Sequence, residues 1–290
     1  MKYKTKLPRC ICNFEFCLGV SSGYLIMLSL KTKDVSRDYL WVINPFTGHQ
    51  ILFPRMPWTP HCVKDYHDPG FFHSIFASFR SEGQDFLIMI LDKYCLSLQF
   101  CISRDNKWKE YSYFGKGWHI LDMAVFDGRI YVINSLSQIG IFNLRSCDLR
   151  FLKLKLAPRF LSCCYNWIRF VVSNDHLFVF VSNIVYRIDL SRMEWVKVYN
   201  LGDQALFLGH GDMMCSKVIN PSKWGGESYN QYNLLSSQRY RYIELFPYNH
   251  KELQKTITVY LPLQGFGKGY ASPKIYSWYF LNQSSSILRM

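Results

Sequence analysis

Residues 40–54 read LWVINPFTGHQILFP, preceded at residues 17–28 by CLGVSSGYLIML. Leu40, Trp41, Val42 and Ile43 form a short apolar, partly β-branched run that suits a strand. Asn44-Pro45-Phe46-Thr47-Gly48 follows, with Pro fixing φ and Gly free to take positive φ, as a tight turn needs. Gln50 to Phe53 returns as a second strand, and Pro54 ends it. The stretch is a β-hairpin, so strands in this chain are short and joined locally.

That pattern extends along the chain. Residues 72–79 and 86–91 flank Ser81-Glu82-Gly83-Gln84, and 96–103 and 108–114 flank Arg104-Asp105-Asn106-Lys107. Residues 121–126 and 130–133 flank Asp127-Gly128-Arg129, with 140–144 following after Ser135-Leu136-Ser137-Gln138. Further pairs flank Asn174-Asp175-His176 and Ser191-Arg192-Met193-Glu194. The result is a meander of antiparallel hairpins with roughly 40–50 residues per four-strand set, the period of propeller blades. The expected fold is an all-β propeller of short antiparallel four-stranded blades, about six in number at that period. Trp108 and Trp195 each stand at the start of a strand after such a turn and are read as packing residues between blades.

Composition agrees. The chain has 290 residues, 49% hydrophobic and 17% aromatic, enough for a sizeable core and weighted toward pleated surfaces. No window carries a sustained i, i+3, i+4 apolar stripe with caps, so almost no helix is expected.

Several ordered motifs resemble one family, the plant F-box-associated KIB-type β-propeller. They are the GxSxGxL-like strand around Gly23, the NPFTG turn, the AVFDGRIYV strand pair at 124–132 and LGDQALFLG at 201–209. The resemblance runs from about Cys17 to Leu281 and assigns Gly23, Asn44, Pro45, Thr47, Gly48, Gly128, Gly202, Asp203, Phe207 and Gly209 to the structural motif. Asp203 is read as capping backbone donors in the Leu201-Gly202 bend. The pattern departs at 225–232, where GGESYNQY replaces the family's Gly-Asn-x-Ile-Tyr-Phe strand, so the last blade is expected to be degenerate. The organisation expected is a basic segment at 1–16, a propeller domain at 17–282 and a tail at 283–290. Family members often carry an F-box ahead of the propeller, and no such helical module is visible in residues 1–16.

Lys2, Lys4, Lys6 and Arg9 precede an apolar stretch that imitates a signal peptide. Glu15 and the segment Gly19-Val20-Ser21-Ser22-Gly23, read as a turn, interrupt it, and it is too short and broken to span a bilayer. Ten cysteines, with no CxxC pair and mostly apolar neighbours, read as core thiols rather than a disulfide framework. The expected location is the cytoplasm, the nucleus or both, with no membrane association.

The chemical motifs are weak. His61, Cys62, His67 and His73 have metal-ligand chemistry but no zinc spacing, and a polar loop explains them better. Gly265-Phe266-Gly267-Lys268-Gly269 lacks the helix start and Lys-Ser/Thr of a phosphate loop. Ser21-Ser22-Gly23 is no nucleophile elbow, and Asp175-His176 sits at a hairpin tip for backbone reasons. The reading is therefore of a non-enzyme with no catalytic residue, metal or cofactor.

Net charge is +13, which favours acidic partners. Its densest stretch holds Arg145, Arg150, Lys153, Lys155 and Arg159, with Lys153 and Lys155 alternating with Leu152, Leu154 and Leu156 as in a strand with one solvated basic face. Three readings follow: a protein-interaction propeller, a binder of nucleic acid or another acidic ligand, and a propeller enzyme, in that order. The resemblance implies substrate recognition for ubiquitination, with a protein substrate or regulatory partner. Direct contact with the ligase adaptor is not expected without an F-box, and a truncated, non-functional family copy is a further alternative. The turns bearing His61, His67, His73, Arg104, Asp105 and Lys107 are the candidate partner-binding loops.

Overall fold

The computed structural model describes residues 16–28, 40–44, 47–54, 56, 72–80, 84–93, 95–162, 168–173, 176–181 and 184–199. It also describes the strand backbones at 204–208, 213–217, 230–236, 242–247, 257–260 and 287–288. The chain divides into two compact units, the first holding 1–114 with 264–275 and 279–290, the second 115–263 with 276–278.

In the first unit, β1 (Phe16–Ser21), β2 (Tyr24–Leu28), β3 (Leu40–Ile43) and β4 (Gln50–Phe53) form one antiparallel sheet in chain order. The β1–β2 turn has Ser22 at φ 51° and Gly23 at φ 78°, the two successive positive values that match a hairpin to strand twist. That turn is two residues long. The wider turn expected over 19–23 is corrected: Gly19 lies inside β1, where an irregularity in register falls between Cys17 and Gly19. Gly19 comes so close to the next sheet that a Cβ there would lie 2.5 Å from the Ser74 hydroxyl.

The second sheet runs β5 (Phe72–Arg80), β6 (Gln84–Asp92), β7 (Ser97–Ile102) and β8 (Trp108–Ser112), and the short β22 (Ile287–Leu288) adds parallel to β5. In the second unit, β9 (Ile120–Phe126), β10 (Arg129–Asn134), β11 (Ile139–Asn143) and β12 (Asp148–Phe151) form a third antiparallel sheet. A fourth holds β13 (Ile168–Val172), β14 (Leu177–Val181), β15 (Ile184–Asp189) and β16 (Glu194–Val198). Asp127 at φ 43° and Gly128 at φ 70° make the β9–β10 turn a second two-residue hairpin of the same kind.

Burial falls from the inside of each sheet outward. All six residues of β7 are buried, and β9 is buried at all but its last position. The fourth strands expose more, three of five residues in β8 and two of four in β12. A strand buried on both faces tolerates a continuous apolar run, whereas one with a face to solvent alternates. These four sheets are propeller blades, and the fold is an all-β propeller. Among the described residues four blades are built this way, against the roughly six expected from the repeat length.

The meander breaks in the fifth sheet. It orders β17 (Gln204–Leu208), β18 (Met213–Lys217), β19 (Asn230–Ser236), β20 (Tyr242–Pro247) and β21 (Ile257–Tyr260) as β18-β17-β19-β20-β21, and β17 pairs with β19 in parallel. A parallel pair cannot be closed by a tight turn. The break falls where the sequence departs from its motif pattern, at the approach to Asn230.

Within each unit the first strands of consecutive blades are tied by a side chain of one and the main chain of the next. Ser21 Oγ accepts from the Phe76 amide at 2.9 Å, and the Ser21 and Ser22 hydroxyls reach the Phe76 carbonyl at 3.2 and 3.0 Å. Ser74 donates back to the Leu18 carbonyl at 3.1 Å. In the second unit the Phe170 amide donates to the Asp122 carboxylate at 2.6 Å, with Asp122 buried. Both phenylalanines sit in the apolar cores that join their blades.

Candidate interaction surface

The NPFTG turn is held by its own side chains. Asn44 Oδ1 accepts from the Thr47 amide at 3.0 Å, the Asn44 carbonyl accepts from Gly48 at 2.9 Å, and Thr47 Oγ1 accepts from the His49 amide at 3.2 Å. Gly48 stands at φ 72°, where no side chain is tolerated cheaply. Asn44, Thr47, Gly48, Gly23 and Gly128 are thus turn-forming. Pro45 lies outside the described residues, as do Gly202, Asp203 and Gly209, and of Phe207 only the β17 backbone is described.

His49, not singled out from sequence, shares a hydrogen bond of 3.0 Å with the Tyr24 hydroxyl and packs beside Phe86 of the next blade at 5.9 Å. Tyr24 in turn lies 4.7 Å from Phe76, and Phe76 stacks on Phe86 at 5.4 Å. Burial pushes the Tyr24 phenol above its ordinary range. A His directly after a hairpin glycine gives no sequence cue to such a contact, because its partner is a blade away.

Of the candidate partner-binding residues, His61 and His67 lie outside the described residues, and so does Cys62. His73 is half-buried on β5. Arg104 and Asp105 lie in the β7–β8 turn and belong to a local ion network. Arg104 reaches Asp85 at 3.1 Å and Asp105 at 3.6 Å, and Lys109 reaches Asp105 at 3.2 Å. Lys107 is exposed beside Asn106, which adopts φ 49°. Among the described residues no group of three His, Cys, Asp or Glu side chains is placed to hold a metal ion, and no helix is long and apolar enough to cross a membrane.

Both tryptophans join blades within a unit. Trp108 is half-buried against the core shared by the first two blades and donates from Nε1 to the Pro54 carbonyl at 2.8 Å. Trp195 is buried, with Tyr186 and Phe160 edge-on at 5.7 and 6.1 Å. Cys101, buried between the first two blades, donates its thiol proton to the Ile102 carbonyl at 3.6 Å, and burial pushes its pKa up to about 11.

The basic stretch after β11 differs from the strand expected for it. Regular pairing ends at Phe151, and the chain then crosses to the fourth blade. Leu152 donates to the Ile139 carbonyl at 2.8 Å, while Lys155 donates to Met193 at 2.8 Å and accepts from Trp195 at 3.0 Å. Leu152, Leu154 and Phe160 pack inward on the core of the third and fourth blades, which leaves Lys153 and Lys155 outward. The basic face is real, and what holds it is a crossing between blades rather than a strand of one sheet.

Blades of this construction, with hairpins of this spacing, match one family model, the KIB1-4 beta-propeller, over residues 1–229. The chain belongs to the KIB1-4 β-propeller family. The family match covers the four regular blades and ends just before β19, so the mixed fifth sheet falls largely beyond it. No curated protein matches the sequence. Among solved structures, Myxococcus xanthus glutaminyl cyclase is similar at TM-score 0.34 and 11% identity, over 81% of this chain and 86% of that one. The extracellular domain of a one-component system from B. thetaiotaomicron gives 0.33 and 12%, over 63% of this chain and 21% of the other. Kuenenia stuttgartiensis hydrazine synthase gives 0.30 and 12%, over 60% and 46%.

Proposed function

We propose that this KIB1-4 propeller acts by binding rather than by catalysis, as a protein-interaction module for a protein substrate or regulatory partner. The observation that carries this reading is the family match over 1–229. The blades supply a rigid scaffold whose connecting turns are free to vary, and binding residues concentrate on such turns. We further propose that the interaction serves substrate recognition for ubiquitination, in the cytoplasm or nucleus. The resemblance to plant F-box-associated propellers supports that reading.

A second reading, binding of nucleic acid or another acidic ligand, is favoured by the net charge of +13. An affinity pull-down of the tagged chain from plant lysate at low and high salt, probed for the ligase adaptor, separates the two. A salt-resistant protein partner supports the interaction module, and adaptor in the same eluate supports the ligase role. Loss of all bound material at high salt shifts the reading to the electrostatic binder.

A further inference from the structure

We infer that residues 145–162 form a docking surface for an extended acidic peptide segment that also carries apolar side chains. The inference rests on the protein-interaction reading and names its surface and partner class.

Five cations, Arg145, Arg150, Lys153, Lys155 and Arg159, are exposed on this stretch, against a single carboxylate, Asp148. No ion pair involves any of the five among the described residues, whereas Arg104 and Lys109 of the second blade are each matched to nearby aspartates. Asp148 is turned to its own strand, accepting from the Leu149 amide at 2.8 Å. A cluster of like charges on one surface repels itself, and an anionic partner relieves that repulsion.

The same stretch exposes two large apolar side chains, Leu156 at 75% and Leu161 at 65%. Leu156 also holds φ 57°, a left-handed conformation that costs a β-substituted residue about 1 kcal/mol or more. The segment is not loose. Leu152 is bonded to the third blade and Lys155 to the fourth, so the cations are presented from a fixed backbone and little ordering entropy opposes binding.

Lys153 and Lys155 are two residues apart on extended chain, about 7 Å. That repeat matches carboxylates at alternate positions of an extended peptide, whose intervening apolar residues would meet Leu156 and Leu161. A nucleic-acid strand calls instead for exposed aromatic faces between the cations. The two aromatics of the stretch, Phe151 and Phe160, are both half-buried, edge-on to Trp118 and Trp195.

The test is fluorescence anisotropy of the full chain with three probes. They are a labelled twelve-residue peptide with glutamates at alternate positions and leucines between, its glutamine counterpart, and an oligothymidine of equal charge. The expected result is preference for the acidic peptide over both others, weakened about tenfold by Lys153→Glu/Lys155→Glu. Leu156→Ser should weaken it further. The neutral pair Lys153→Gln/Lys155→Gln, checked for an unaltered melting curve, stands in if charge reversal impairs folding. Equal binding of the glutamine peptide, tighter binding of the oligonucleotide, or indifference to the lysine variants overturns the inference. A partner from the pull-down that binds the lysine variants as it binds wild type would overturn this surface and leave the interaction module standing. Loss of every protein partner from the wild-type chain would remove the module itself.

Discussion

The two units solve one problem with different chemistry. Where the first blade meets the second, the Phe76 main chain is held by neutral hydroxyls, Ser21 and Ser22, with Ser74 returning a bond to Leu18. Where the third meets the fourth, the equivalent amide of Phe170 is held by one buried carboxylate, Asp122, at 2.6 Å. Four weaker neutral bonds divide the hold, with the Phe76 carbonyl reached by two hydroxyls and its amide held by Ser21. A charge-assisted bond concentrates it, and deleting the carboxylate leaves a buried donor with no oxygen to replace it.

Substitutions at either seam separate the two modes of attachment. Asp122→Ala should have the largest effect, about 2–3 kcal/mol, read as lost hydrogen-exchange protection at the Phe170 amide with Phe76 unaffected. Equal loss at both amides would mean that the two seams are not separate elements. Gly19→Ala should cost about 1–3 kcal/mol, because its Cβ falls on the Ser74 hydroxyl and displaces the bond to Leu18. Urea unfolding followed by tryptophan emission would report it, and a silent variant would show that Ser74 is dispensable. Ser21→Ala should cost about 1–2 kcal/mol, since the Phe76 amide loses the Ser21 oxygen while Ser22 still reaches the carbonyl. A loss as large as that of Asp122→Ala would erase the distinction.

The smallest effect is one of pH. Cys101 has its thiol pKa raised from 9.0 to about 11, so the folded state keeps the proton that the unfolded chain gives up first. Its contribution to stability is complete below pH 9 and is lost as pH rises toward 11. Alkylation of this thiol should stay slow in native protein at pH 9 and become fast on denaturation; rapid native labelling would contradict its burial.

Much of the fold was legible in the sequence, because hairpins are local. Asp-Gly at 127–128 and Ser-Gly at 22–23 supply the paired positive φ values directly, and Asn-Pro-Phe-Thr-Gly carries its own side-chain acceptors. The seams were less legible. Ser21 and Ser22 looked like ordinary turn residues, and their role appears only when Phe76, more than fifty positions later, lies beside them. Asp122 did leave a cue: one carboxylate inside the apolar run ILDMAVF must be partnered if the strand is buried. The basic face at Lys153 and Lys155 was visible as alternation, but its bridge to Met193 and Trp195 was not. The same holds for Arg104, whose charge is answered by Asp85 on a neighbouring strand.

Short strands, their turns and, among the described residues, the near absence of helix follow from the sequence, since each depends on contacts within a few residues. Tertiary structure alone decided which side chains stitch one blade to the next, which cations are neutralised, and that β17 pairs in parallel with β19. Those outcomes depend on residues far apart in the chain, and alternation along a strand carries no information about what lies across the gap between sheets.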